Sequence, residues 1–412
     1  MSFADIVGHK TPKQVLRRAI ATKRLPTGYL FVGPPNVGKT ATALEFIKAL
    51  NCEARPADGD SAEVDACDKC DRCRRIMEGS FAYFRTIFPT SGALREEIDK
   101  QRRRQQEGQL AEQEQDGEDE KDYEDLELIE IEDAEIHIKP MRRMLANANL
   151  KAPADVWKTY LIQSAEKMND VAANHFLKTL EEPPPRTTFI LTTSRPSELY
   201  DTIVSRCQVI DFGPVPLADA CEALSTEFPE REPQQIEAIA AASAGRYGWA
   251  YRMLSLPALL ADREALLDLL AALPTYQLYE GMRQAEVLLD LAGRWFLDSY
   301  EPHTASRQTA ETLMKKTQDY VLRTAMLQLV DQILSWWRDI TVLQSVRGSN
   351  GLMNPDRLNR LRELAGVYDL QACRRALRWI DETRIHLRAN ANLRCTAELL
   401  MIKLISLSPA KA

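Results

Sequence analysis

GYLFVGPPNVGKTATALEFIKAL, residues 28–50, is the stretch on which the fold turns. Residues 28–32 form a short apolar run that reads as a buried strand. Residues 40–49 place apolar side chains at helical spacing. Between them Gly33, Pro34, Pro35, Asn36, Val37, Gly38, Lys39 and Thr40 fit the pattern G-x-x-x-x-G-K-[ST]. A glycine-bearing loop between a strand and a helix lets backbone N–H groups at Asn36, Val37 and Gly38 close round phosphate oxygens. The Lys39 ammonium would reach the β- and γ-phosphates, and the Thr40 hydroxyl would bind Mg²⁺. ATP or ADP with Mg²⁺ is therefore the expected ligand.

Two further strands are expected at residues 159–162 (TYLI) and 188–193 (TFILTT). They flank MNDVAANHFLKTLEEPPP, where Ala173, Phe176, Leu177 and Leu180 share one helical face and three prolines stop the helix. Alternation of strands and helices over residues 1–213 predicts an α/β core with a parallel sheet and helices on both faces. After residue 216 the strand signals vanish. Met326, Val330, Ile333, Trp337 and Ile340 then mark one stripe of a bundle helix. A phosphate-loop enzyme needs an acid at the end of a neighbouring strand to hold Mg²⁺. The strand ending at Ile162 continues Gln163-Ser164-Ala165-Glu166, so neither expected position is acidic and Glu166 would have to reach back. Nucleotide binding stays open to this chain; hydrolysis by it is not expected.

The 412 residues carry a net charge of −7, which looks unfavourable for a nucleic-acid partner. The average misleads. Residues 107–135 hold fifteen Asp or Glu against Lys121 alone, a local balance of −14, so the rest of the chain stands at +7. The start, MSFADIVGHK, lacks the plan of a signal peptide, and no run of 18 apolar residues exists, which predicts a cytoplasmic protein. Cys52, Cys67, Cys70 and Cys73 follow C-x14-C-x2-C-x2-C, a spacing suited to tetrahedral, structural Zn²⁺ or another thiophilic metal. Disulfide pairing is the alternative, disfavoured in a reducing compartment. Cys221, Cys373 and Cys395 each lie alone in a helical pattern and are expected in the core.

Taken together, the phosphate loop, the cysteine knuckle, NDVAANHFLKTLEEPP and Ser205-Arg206-Cys207 resemble the clamp-loader subunits of bacterial DNA polymerase III. These are AAA+ proteins of the gamma/tau and delta-prime kinds. The resemblance implies three domains. An AAA+ domain at 1–213 would contain the zinc knuckle (52–73) and an acidic insertion (about 95–135). A helical lid at 214–257 and a helical collar at 258–412 would follow, the collar containing Trp336-Trp337-Arg338-Asp339 and Asn354-Pro355-Asp356-Arg357-Leu358. It places an arginine finger at Arg206 and a sensor-1 group at Thr193. At the sensor-2 position, where ATP-hydrolysing relatives carry arginine, this sequence has Gly248.

Loss of acid at 163 and 164 and of arginine at 248, with Arg206 kept, is the pattern of the delta-prime subunit. Such a stator completes a neighbour's ATP site without running its own. The partners implied are gamma/tau and delta-type subunits, a sliding clamp, and the backbone of primed DNA without sequence preference. Lys139, Arg142 and Arg143, on one face of a helix starting near Pro140, are the candidate phosphate contacts. An active gamma/tau-type ATPase and a zinc-containing AAA+ protein of DNA repair are the alternatives.

Overall fold

The computed structural model describes residues 2–54, 64–89, 134–300, 310–345 without 312–313 and 316–317, and 351–408. The acidic insertion, apart from its last two residues, lies outside the described residues. The chain forms two compact units. One comprises the described residues up to Ala220 together with Gly245–Gly248; the other comprises Cys221–Ala244 and the described residues from Trp249 onward.

The first unit runs α1 (Lys10–Ala21), β1 (Gly28–Val32), α2 (Lys39–Asn51), α3 (Asp71–Met77), β2 (Phe84–Ile87), α4 (Ile138–Ala148), β3 (Lys158–Ile162), α5 (Asp170–Glu181), β4 (Thr187–Thr193), α6 (Asp201–Val204) and β5 (Cys207–Asp211). The sheet order is β2-β3-β4-β1-β5, and every pairing is parallel. Interior strand β1 pairs with β4 and β5 at once, so Gly28 lies opposite Phe189 and Cys207, and Val32 opposite Thr193 and Asp211.

Alternation along the strands divides the core. Tyr29, Phe31, Leu161 and Ile190 face α1 and α2, meeting Leu16, Ile20, Phe46 and Ile47. Leu30, Tyr160, Ile162, Phe189 and Leu191 face α4 and α5, meeting Met141, Met144, Phe176 and Leu180. This is the expected α/β core with helices on both faces. The strands β2 and β5 were not legible beforehand: FRTI is only four residues long, and CQVID buries Ile210 alone among its five.

The second unit is helical among its described residues. It includes α8 (Pro233–Ala242), α9 from Trp249 on (Tyr247–Ser255), α10 (Pro257–Ala271), α11 (Gly281–Asp298), α12 (Gln318–Ser345), α13 (Leu358–Val367), α14 (Leu370–Arg388) and α15 (Leu393–Ile405). Leu217–Glu227, α7, spans the junction of the two units. No described helix is long and apolar enough to cross a membrane. Trp295, Trp336 and Trp337 are fully buried in this unit, whereas Trp379 is half-buried under the Lys403 ammonium.

Trp336-Trp337-Arg338-Asp339 and Asn354-Pro355-Asp356-Arg357-Leu358 meet in one polar cluster. Buried Asp339 accepts from the backbone N–H groups of Met353 and Asn354 and from Asn354 Nδ2. Asn354 Oδ1 in turn accepts from Arg263, which also pairs with Asp356 at 3.1 Å. Desolvation raises the Asp339 pKa, and the donors around it work against that shift. Of the single cysteines, Cys373 is buried and Cys221 half-buried, but Cys395 is exposed, against expectation. It sits in the first turn of α15, where its N–H is capped by the Asn392 side chain and its thiol faces outward.

Asp339→Ala leaves the backbone N–H groups of Met353 and Asn354 without their acceptor, while Asn354 Nδ2 keeps only Ser335 Oγ. It is expected to destabilise the helical unit by about 3 kcal/mol, read as a lower urea midpoint of the helical signal.

Candidate nucleotide site

The loop leaves the C-terminal end of β1, the crevice side of a parallel sheet where ligands bind. Gly33 donates to the Thr193 carbonyl (3.2 Å) and Phe212 donates to the Val32 carbonyl (2.7 Å), so the loop's root is fixed from both neighbouring strands. A Cβ at Gly33 would stand 2.2 Å from the Phe212 carbonyl oxygen, which excludes any other residue. Asn36 at φ 59° and Gly38 at φ 111° make the left-handed turns that curl the loop toward α2. The helix begins with Gly38 as its N-cap and has neither a side-chain cap nor an acid in its first turn. Its opening N–H groups are thus not claimed by a cap, which fits a phosphate.

Lys39 folds back along the loop. Its ammonium donates to the carbonyls of Gly33 and Pro34, both at 2.7 Å. Thr40 is half-buried on the first turn, and Pro34, Pro35 and Asn36 are exposed. Below the loop, the His9 ring bonds the Val37 carbonyl through Nε2 at 2.7 Å and rests against Phe212 with centroids 4.9 Å apart. Burial, followed by the charges of Lys13 and Lys39, pushes the His9 pKa below 6.5, only partly offset by the Val37 bond. Gly248 donates its N–H to the Asn36 carbonyl at 2.8 Å, and a Cβ there would come within 3.1 Å of that oxygen. Where sensor-2 arginine was sought, backbone lies against the loop.

The acid gap is visible in three dimensions. At the end of β3, Gln163 donates its N–H to the Ile87 carbonyl and Ser164 turns left-handed at φ 49°. The Glu166 side chain, 2% exposed, takes the Ser194 hydroxyl at 3.2 Å and stands 3.9 Å from Arg195. It ties the turn after β3 to the turn after β4. Thr193 is buried; its hydroxyl accepts from the Arg195 N–H and its carbonyl holds Gly33.

Arg206 lies at the other end of the strands. It immediately precedes β5, whose first residue stands opposite Gly28, five residues before Gly33. At about 3.3 Å per residue Arg206 and the chain's own phosphate loop are separated by about 16 Å along the sheet, beyond the reach of one side chain. The guanidinium is 37% exposed, donates to the Thr202 carbonyl at 3.0 Å and pairs with Glu181 at 2.7 Å.

The four cysteine Sγ atoms, including buried Cys52 and Cys73, all lie within 4.8 Å of one another. Cys67 accepts the Cys70 N–H and Cys70 accepts the Cys73 N–H. Backbone donors, that of Lys69 foremost, bring the Cys67 thiol down to about 7, while burial raises Cys52 and Cys73. Four thiols converging with backbone N–H bonds to sulfur fit a tetrahedral thiolate-bound metal such as Zn²⁺. The knuckle is moored to α2: Lys48, buried on that helix, pairs with Glu45 at 2.8 Å and with Asp68 between the cysteines. On α4, which begins at Ile138, near Pro140 as expected, Met141, Met144 and Ala148 face the core and Lys139, Arg142 and Arg143 are exposed.

Residues 8–216 match the family described as "DNA polymerase III, delta subunit", just over half of the chain. The chain belongs to that family. Among curated relatives it is 29% identical over 211 residues to DNA polymerase III subunit tau of Bacillus subtilis, covering 51% of this chain and 29% of tau. It is 27% identical over 205 residues to subunit delta' of the same organism, covering 49% of this chain and 46% of delta'. The chain thus spans less than half the length of either. A solved DNA polymerase III gamma subunit-related protein of Thermotoga maritima aligns over 96% of this chain and 99% of its own, at 15% identity and a TM-score of 0.38.

The family match ends near the boundary of the first unit, so the loop, Thr193, Arg206 and the cysteines all fall within it. His9 and Glu181 escaped the sequence reading. Each acts through a partner 28 or 25 positions away, a relation no local spacing carries.

His9 offers a pH test of the loop. A depressed folded-state pKa gives stability that is present above 6.5 and lost as pH falls through the lower folded value. Melting temperature is expected to fall more steeply between about pH 7.5 and pH 5.5 in the native chain than in His9→Gln.

Proposed function

We propose that the chain is a delta-prime-type subunit of the DNA polymerase III clamp loader, a stator that lends Arg206 to the nucleotide of a neighbouring subunit. The observation that carries this reading is spatial. The phosphate loop leaves the C-terminal end of β1 and Arg206 precedes the N-terminal end of its paired neighbour β5, which supports a role for Arg206 toward another chain's phosphate. The same crevice lacks acid at Gln163 and Ser164, and Glu166 is engaged with Ser194. Gly248 brings backbone N–H, and no cation, to the loop.

The roles follow. Gly33, Asn36, Val37, Gly38, Lys39 and Thr40 hold ATP or ADP through backbone N–H groups, an ammonium and a hydroxyl, with Thr40 as the ligand for Mg²⁺. With no acid beside it to share the metal, hydrolysis in this crevice is absent. Thr193 shapes the floor of the site as its sensor-1 residue. Arg206 presents a planar, permanently charged fork to the charge that develops on the neighbour's γ-phosphoryl group. Cys52, Cys67, Cys70 and Cys73 hold structural Zn²⁺, and Lys139, Arg142 and Arg143 offer charge to the phosphates of primed DNA. The partners are gamma/tau and delta-type subunits and the sliding clamp, in the cytoplasm. The complete phosphate loop and the similarity to tau favour an active gamma/tau-type ATPase as the second reading.

ATP turnover separates the two. The isolated chain is expected to show none; robust turnover would establish the second reading. In a loader reconstituted with its ATPase subunits, Arg206→Ala is expected to lower turnover at the neighbouring site by about a thousandfold or more. Metal analysis is expected to give one Zn²⁺ per chain, with Cys73→Ser losing the metal and melting at lower temperature.

A further inference from the structure

Helix α5 ends in two carboxylates, Glu181 and Glu182, followed by three prolines. Acidic side chains at a helix C-terminus oppose the macrodipole, so the sequence breaks a local rule here. The compensation comes from outside the helix. Glu181 Oε1 accepts from Arg206 Nη2 at 2.7 Å, while Nη1 of the same guanidinium donates to the Thr202 carbonyl at 3.0 Å. Of five guanidinium N–H groups, two are held on the protein side and three remain for an incoming anion.

Both partners are placed by the residues beside them, buried Leu180 and half-buried Cys207. Leu180, next to Glu181, and Cys207, next to Arg206, meet over Gly28 at the start of β1. A Cβ on that glycine would come 2.7 Å from the Cys207 sulfur and 3.4 Å from Leu180 Cδ2. Burial there raises the Cys207 thiol to about 12, so it is inert packing. Gly28 thus lets two side chains close over it, and their exposed neighbours are brought within bonding distance.

We infer that Glu181 is the positioning residue of the arginine finger: with the Thr202 carbonyl it fixes the guanidinium in one outward-facing orientation before a neighbouring subunit's phosphate arrives. This rests on the trans role of Arg206. A free arginine carries large rotamer entropy that must be lost when it engages phosphate. An exposed charged pair recovers part of it in advance, and the modest strength of such a pair sets the size of the effect.

The test is steady-state ATP turnover of the loader reconstituted with native chain, Glu181→Ala, Glu181→Gln, Arg206→Ala or the double variant Glu181→Ala/Arg206→Ala. Glu181→Ala is expected to lower kcat about fivefold with KM for ATP unchanged. Glu181→Gln, which keeps an acceptor for Nη2–H, is expected to restore turnover to within about twofold of native. The double variant is expected to match Arg206→Ala. A rise in turnover in either Glu181 variant would show that the carboxylate restrains the finger, and would overturn the inference. So would an unchanged kcat in Glu181→Ala while Arg206→Ala abolishes turnover. If Arg206→Ala itself leaves turnover intact, the trans role fails and the positioning role with it.

Discussion

Parallel pairing of β1 with β4 on one side and β5 on the other is the constraint from which the geometry of the first unit follows. Five residues, Gly28–Val32, are held in register along both edges. At one end the pairing delivers Gly33 to the Thr193 carbonyl and roots the phosphate loop. At the other it sets Cys207 against Gly28 and fixes where Arg206 emerges. A one-residue slip would exchange Tyr29 and Phe31 with Leu30 across the two faces of the sheet, so burial enforces the register. The separation between the phosphate loop and Arg206 is therefore set by the core.

Charge inside the two units serves position. Lys48 is wholly buried, and unpaired it would be costly. Glu45 on its own helix and Asp68 in the cysteine knuckle neutralise it, which ties the knuckle to the helix that opens with Lys39. Asp339 does the same in the helical unit, gathering the backbone around Met353 and Asn354 while Arg263 clamps the next turn through Asp356. Trp336-Trp337-Arg338-Asp339 and Asn354-Pro355-Asp356 are thus two halves of one structural device within a single chain.

The sequence made legible whatever depends on short spacing. The strand, loop and helix of residues 28–51 and the converging cysteines were found where their patterns put them. So was the absence of acid after Ile162. Contacts between distant segments were not legible. The β5 strand shows little burial of its own, because its place is given by β1 rather than by its own alternation. Cys395 looked like core from its helical surroundings, yet its place in the first turn of α15 turns it outward. The glutamates of LKTLEEPP carry no local signal of a partner, and only the return of the chain at residue 206 reveals the cation that answers Glu181.

A complete phosphate loop beside a missing acid looks contradictory until the loop's own contacts are considered. His9 holds the Val37 carbonyl, Gly248 holds the Asn36 carbonyl, Lys39 spans the carbonyls of Gly33 and Pro34, and Thr193 holds the Gly33 N–H. Each bond is made within the chain and none requires a nucleotide. In a loop without these ties, exposed carbonyls turned toward one another would repel, and a ligand would be needed to order it. Here the ammonium of Lys39 supplies that order by lying across two of them. The residues that would grip a phosphate therefore also keep the crevice folded, and removing the catalytic acid leaves that second task untouched.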